Sequence, residues 1–180
     1  MRTTDANGTE LRVPVALLHN LRRILREQSG ELAAIHLLHD IGFATGESVH
    51  EQFLNSLDAN PTTLTPDAFW DALDQFSSQR GWGRIRHERG HPGLGIIRSS
   101  DWIESDPQSE AQRPSCAFSA GVLAHLLGRV AQGSIAVLEV GCRSRGDDEC
   151  AFLFGAEEAV HRAYGLMQDG ERLGRALSCL

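Results

Sequence analysis

The sequence contains no lysine, and all 17 basic residues are arginine. This absence excludes enzymes that form a Schiff base on a lysine amine and nucleotide-binding proteins of the Walker type. The arginines are scattered along a chain of net charge −7, whereas a nucleic-acid surface needs clustered positive charge. We therefore expect no direct contact with nucleic acid.

Long apolar runs are also missing. The first ten residues, MRTTDANGTE, lack the apolar centre of an export signal, and the most apolar stretch, GVLAHLLG, is too short to span a bilayer. We therefore expect a cytoplasmic protein with no membrane span. Hydrophobic residues still make up 41 % of the 180 residues, which is enough for one sizeable core, so we predict a single domain over residues 1–180.

Helical patterns fill the first 80 residues. Apolar residues recur at helical spacing over residues 11–28 with arginines on the opposite face, and further helices are predicted over 31–39 and 42–57. The clearest helix starts after Thr65, a suitable N-terminal cap, with Pro66 at its first position. Residues 1–80 are therefore predicted to be a helical N-terminal part.

Strand patterns dominate the rest of the chain, residues 81–180. Residues 81–98 read as a β-hairpin, and Pro114 is predicted to start another helix. SIAVLEVGC and CAFLFG read as two strands joined by the turn RSRGDDE, with a last helix from about Glu157. Helices followed by a mainly antiparallel sheet predict an α+β fold, in which the N-terminal helices pack on that sheet.

Four cysteines are present, and three of them lie near the predicted second hairpin. Glu139 and Cys142 end one strand and Cys150 begins the next, so the hairpin brings them together, and Cys116 near the start of the preceding helix can complete a tetrahedron. Three thiolates and a carboxylate suit Zn²⁺. The alternative is that these cysteines are small buried core residues, which is common for free thiols. The spacing alone leaves both open.

Charged residues of the turn have two interpretations. Arg143 and Arg145 would offset the surplus negative charge of such a ligand set. Asp147, Asp148 and Glu149 are most simply a solvated turn.

The run PSCAFSAGVLAHLLGRVAQGSIAVLEVGCRSRGDDECAFLFG, residues 114–155, resembles the 4-vinyl reductase (4VR) domain family. It shares a Cys and Gly opening a helix, a strand ending Glu-x-x-Cys, a Gly-Asp turn and a Cys-x-Phe strand. It is also similar to the sensor domains of phenol- and toluene-responsive transcription activators, in which the matching positions bind zinc. The resemblance implies a 4VR-like α/β plait with its core over residues 81–180, and a structural zinc held within residues 116–150 by Cys116, Glu139, Cys142 and Cys150.

The same resemblance implies a ligand pocket. The related sensors enclose a small apolar pocket and hold a phenolic hydroxyl with a histidine and a tryptophan. The corresponding candidates here are Trp102, Phe118 and His125, although His125 stands where the family usually keeps a glycine. His87 and His91 on the first hairpin are either further candidates or solvated residues. More distantly, LLHDIGFATGESVHEQFL is similar to a helix of trafficking-complex (TRAPP) subunits.

Three functions remain open on these observations. The leading hypothesis is a non-enzymatic module that senses or carries a small hydrophobic or aromatic molecule, acts through a regulatory partner protein, and forms a homodimer through the apolar stripe on residues 17–25. The second is a reductase or accessory factor in tetrapyrrole metabolism, and the third an assembly subunit without a ligand. No catalytic residue is predicted, because the sequence has neither a dinucleotide fingerprint nor a Gly-x-Ser-x-Gly elbow.

Overall fold

The computed structural model describes residues 13–57, 64–109 and 111–180, together with the backbone of two short strands, β1 (Thr4–Asp5) and β2 (Gly8–Thr9). The helices are α1 (Ala16–Ser29), α2 (Glu31–Asn55), α3 (Pro66–Gln79), α4 (Ala117–Ala131), α5 (Glu157–Gln168) and α6 (Leu173–Ser178). The longer strands are β3 (Arg86–His91), β4 (Leu94–Ser99), β5 (Ala136–Gly141) and β6 (Cys150–Gly155). Within the described residues, no helix has both the length and the apolar character that crossing a membrane requires.

Two hairpins lie side by side in one antiparallel sheet of order β3-β4-β6-β5. The hairpins join through β4 and β6, where Leu94 lies opposite Gly155 and Ser99 opposite Cys150. Both predicted hairpins are present, although the first strand begins only at Arg86. Helices packed with a four-stranded antiparallel sheet confirm the predicted α+β class.

Hydrophobic clusters cover both faces of the sheet. Phe152 packs with Ile97 and residues of α2, α3 and α4 on one face, whereas Leu153 packs with Val160 of α5 and Leu177 of α6 on the other. Successive strand residues point to opposite faces. Because β6 is buried on both, it needs the continuous apolar run that CAFLFG supplies.

Helices α2 and α4 pack with their backbones in contact. A Cβ added to Gly42 would overlap the carbonyl oxygen of Phe118, and one added to Gly121 would overlap that of His39. The prediction of separate helices over 31–39 and 42–57 is therefore wrong, since one helix runs through both. Gly42 permits the close approach of α4 instead of ending a helix, as the buried glycine face predicted.

Residues at the ends of two other helices differ from prediction. α1 begins at Ala16, after Pro14, instead of near residue 11. α4 begins at Ala117 with Cys116 in the capping position, three residues beyond the predicted start at Pro114. The later start matters because it places the Cys116 thiol at the helix end instead of inside its first turn.

The close contact of α2 and α4 predicts a stability difference between two glycine substitutions. Gly121→Ala should lower the free energy of unfolding by about 1–3 kcal/mol, because the added methyl meets a backbone carbonyl that has no room to move. Gly165→Ala in α5 is the matched control, since no atom lies within 4 Å of its added Cβ and alanine favours a helix by roughly 0.5–1 kcal/mol. Urea unfolding of both variants provides the measurement. Equal stability of the two would contradict the described packing.

Candidate functional site

Four buried side chains converge between the start of α4 and the β5–β6 hairpin. The ligand atoms of Cys116, Glu139, Cys142 and Cys150 all lie within 4.8 Å of one another. The sulfur of Cys116 is 4.0 Å from that of Cys142 and 3.9 Å from that of Cys150. In a tetrahedral zinc site with bonds of about 2.3 Å, sulfurs stand about 3.8 Å apart. This set of side chains can therefore hold a metal ion.

Glu139 provides a free acceptor in this cluster. Its Oε2 accepts a hydrogen bond of 2.7 Å from the Cys116 amide, while its buried Oε1 has no hydrogen-bond partner among the described residues. Burial raises the pKa of Glu139 well above its usual range, and burial likewise raises the pKa of the Cys116 thiol. A bound cation would supply the missing partner of Oε1 and displace these protons, so the donor set fits a metal.

The turn between β5 and β6 fixes the backbone at Cys142. Asp147 Oδ2 accepts a 2.7 Å hydrogen bond from the Cys142 amide and is also bound by the Arg145 guanidinium, at 2.6 Å from Nη2. Arg145 thus acts on the cluster through Asp147, and Arg143 donates instead to Ser105. Asp147, interpreted from sequence as a solvated turn residue, instead shapes the turn that carries a metal-ligating thiol.

The cluster lies within a segment that matches a known domain family. Residues 103–156 match the 4-vinyl reductase (4VR) domain. All four clustered side chains fall inside this 4VR segment, and the resemblance expected from the sequence is confirmed.

Solved structures with the same fold include three that differ widely in sequence. The phenol-responsive sensory domain of the transcription activator PoxR, solved with phenol, superposes with a TM-score of 0.67 at 18 % identity, covering 82 % of this chain and 77 % of that chain. A vinyl-4-reductase family protein from Methanocaldococcus jannaschii gives 0.54 at 18 %, covering 81 % and 82 %. Trafficking protein particle complex subunit 3 from Naegleria fowleri, covalently bound to palmitic acid, gives 0.64 at 12 %, covering 78 % and 91 %. At these identities the likeness establishes the fold.

A second buried carboxylate of the 4VR segment caps α4. Glu104 is 2 % exposed, and its oxygens accept from the backbone amides of Phe118 at 3.2 Å and Ser119 at 2.8 Å. The Ser119 hydroxyl also donates to Glu104, and Arg22 of α1 donates to the Glu104 carbonyl at 2.9 Å. Burial raises the pKa of Glu104, while these donors and the Arg22 charge oppose the rise. No sequence pattern identifies Glu104, because its partners lie 14, 15 and 82 positions away.

Two of the three predicted ligand contacts have protein partners. Trp102 is 4 % exposed and its indole N–H donates to Ser119 Oγ at 2.8 Å. His125 Nε2 lies 2.7 Å from Glu47 Oε2, and Phe118 is half-buried at the start of α4. Their contact with a ligand stays a prediction.

The two hairpin histidines differ in their surroundings. The His87 ring stacks on Trp70 with centroids 4.2 Å apart, and burial lowers its pKa. His91 lies at the end of β3, where Nδ1 is 2.9 Å from the Pro92 carbonyl oxygen. His87 is therefore a packed residue instead of a solvated one.

A cavity of about 270 Å³ lies between α1, α2 and the segment leading into α4. Trp102, Phe118 and His125 are not among the residues that line it. Ser115 and Ala117 do line it, and these residues flank Cys116, so the cavity borders the candidate metal cluster. The arginines of α1 face this cavity, although the helical pattern had indicated only that they oppose the apolar stripe.

Removing the Glu104 carboxylate should destabilise the protein. Glu104→Ala leaves two α4 amides without acceptors and Arg22 without its buried counter-charge, so we expect the free energy of unfolding to fall by about 2–4 kcal/mol. Glu27→Ala removes an exposed ion pair with Arg23 and should change stability little. Urea unfolding compares the two, and equal midpoints would show that Glu104 does not cap α4.

Proposed function

We propose that this chain is a zinc-stabilised module that binds a small hydrophobic or aromatic molecule and passes its occupancy to a partner protein. The observation that carries the proposal is the buried cluster of three thiols and one carboxylate inside the 4VR segment. Four protein ligands leave zinc no open position for water, so the ion would be structural. It would supply a fixed link between the start of α4 and the β5–β6 hairpin.

Ligand binding is supported by the fold and by the cavity. The PoxR sensory domain shares the fold and was solved with phenol. In this chain, the cavity of about 270 Å³ meets α1, α2 and the residues on both sides of Cys116. A bound molecule would therefore contact the helices and the metal-bearing segment together, which gives signalling a physical basis.

The contacts of Trp102 and His125 set a condition on their proposed role. A ligand that reaches Trp102 has to share or replace the hydrogen bond to Ser119, and one that reaches His125 has to do the same with Glu47. Phe118 lies between them in sequence and offers an aromatic surface. We keep these three residues as candidate contacts of an aromatic ligand, separate from those that line the cavity.

Loss of one thiol ligand tests the structural role of zinc. Cys142→Ser should lower the melting temperature by about 10 °C, because several kcal/mol of metal-linked folding free energy are lost. Cys179→Ser is the control, since Cys179 is exposed and lies at the end of α6. Thermal unfolding with and without a chelator measures both. If Cys142→Ser melts together with the wild type, the thiol is not a ligand.

We further propose that the module forms a homodimer through α1 and α2. Leu17 on α1 and Leu32, Leu37 and Phe43 on α2 are 53 %, 62 %, 43 % and 47 % exposed. Large apolar side chains left in solvent on neighbouring helices are typical of an association surface. The predicted stripe on residues 17–25 forms only part of this surface, because the exposed face continues along α2.

The dimer proposal predicts the mass in solution. Light scattering at micromolar concentration should give about twice the chain mass of 19.7 kDa, and Leu37→Glu should give a monomer because it places a charge in the apolar face. Val130→Glu is the matched control, as Val130 is 43 % exposed on α4, away from this face. A monomeric wild type would remove the dimer.

A further inference from the structure

The cavity between α1, α2 and residues 106–117 has a basic wall in an acidic protein. Four arginines line it against two acidic residues, while the whole chain has a net charge of −7. The residues concerned are Arg22, Arg23, Arg26 and Arg113, with Glu31 and Asp106 as the acids. This concentration of guanidinium groups favours a negatively charged occupant.

Two nitrogen atoms at this cavity lack hydrogen-bond partners. Among the described residues, neither Arg22 Nε nor His19 Nε2 makes a hydrogen bond, although both atoms are buried. Buried polar atoms are nearly always paired, so these two indicate a missing group. An anion would satisfy Arg22 Nε directly, and it would satisfy His19 Nε2 by favouring the doubly protonated ring, whose Nδ1 lies 3.8 Å from Asp106 Oδ2.

The position of Arg22 is already fixed by the protein. Its Nη2 donates to the Glu104 carbonyl at 2.9 Å and lies 3.7 Å from Glu104 Oε1. The other cavity arginines of α1 are less constrained, because Arg23 and Arg26 make exposed ion pairs with Glu27 and Glu31 at 2.8 and 3.5 Å. Arg22 is therefore the preorganised contact, and Arg26 is able to move toward a ligand.

The opposite wall of the cavity is apolar. Ala34, Ile35 and Leu38 of α2 line it, together with Pro114. An inorganic anion would leave this wall without a partner, whereas a molecule with one anionic end and one hydrocarbon end would contact both walls. A volume of about 270 Å³ is near the lower end of small-molecule sites and suits a single ring bearing a carboxylate.

We infer that this cavity binds a small organic carboxylate, whose oxygens contact Arg22 and His19 and whose hydrocarbon part lies on Ile35 and Leu38. Arg fits a carboxylate because its planar fork donates two parallel hydrogen bonds. The inference rests on the proposed function for the meaning of binding, and it narrows the ligand from any hydrophobic or aromatic molecule to an anionic one.

The same position connects the ligand to the candidate metal cluster. The Ser115 hydroxyl lines the cavity, donates to Ser144 Oγ at 2.7 Å and lies 3.4 Å from Cys142 Sγ. A carboxylate in the cavity would thus lie one side chain away from a metal-ligating sulfur. Its arrival would alter the contacts of the segment that holds Cys116.

The test compares benzoate with two uncharged molecules of similar size, benzamide and phenol, by isothermal titration calorimetry. Benzoate should bind at least about ten-fold more tightly than either, since charge-assisted hydrogen bonds to arginine are lost in the neutral molecules. Arg26→Gln should weaken benzoate by about ten-fold and leave phenol unchanged. Arg175→Gln is the control, because Arg175 makes a similarly exposed ion pair on α6, with Glu171.

Arg22→Gln provides the stronger test once its fold is verified by circular dichroism, and benzoate binding should then be abolished. Equal affinity for benzoate, benzamide and phenol, unaffected by Arg26→Gln, would overturn the carboxylate inference while supporting the proposed ligand-binding function. Inorganic phosphate that binds as tightly as benzoate would also overturn it, by showing a simple anion site. Binding of none of the three organic probes would overturn it and count against the proposed function as well.

Discussion

Two buried carboxylates accept hydrogen bonds from the first backbone amides of α4, and the arrangement around the site depends on this contact. Glu139 reaches the helix from β5 and accepts from Cys116, while Glu104 reaches it from the loop before the helix and accepts from Phe118 and Ser119. The N-terminus of a helix carries partial positive charge and unpaired amides, so it compensates both acids. The sheet, the loop and the helix are thereby held at one point.

The neighbouring features follow from that point. Because Glu139 binds the Cys116 amide through one oxygen only, its second oxygen remains free beside three thiols. Because Glu104 is buried, it needs Arg22, and this requirement draws α1 against the segment that leads into α4. The cavity lies where α1, α2 and that segment meet, so its basic character is partly a consequence of the capping acid. Metal site, cap and cavity therefore form one continuous structure around the start of α4.

The sequence predicted the metal cluster better than it predicted the surroundings. Cys142 and Cys150 lie on adjacent strands of a hairpin whose pattern is local, and the resemblance to the 4VR family placed Cys116 and Glu139 beside them. The strands themselves were predicted because β-branched and aromatic residues mark them. By contrast, α2 was divided at Gly42, since a glycine needed for close helix packing has the same local pattern as one that ends a helix.

Glu104 and the cavity could not be predicted because their partners are distant in sequence. Arg22 and Glu104 are 82 residues apart, and only the packing of α1 brings them together. The central claim, that the cluster at the start of α4 holds a metal, is tested most directly by elemental analysis of protein purified without a metal-affinity tag. The account predicts about one zinc per folded chain. Folded protein without bound metal would contradict it.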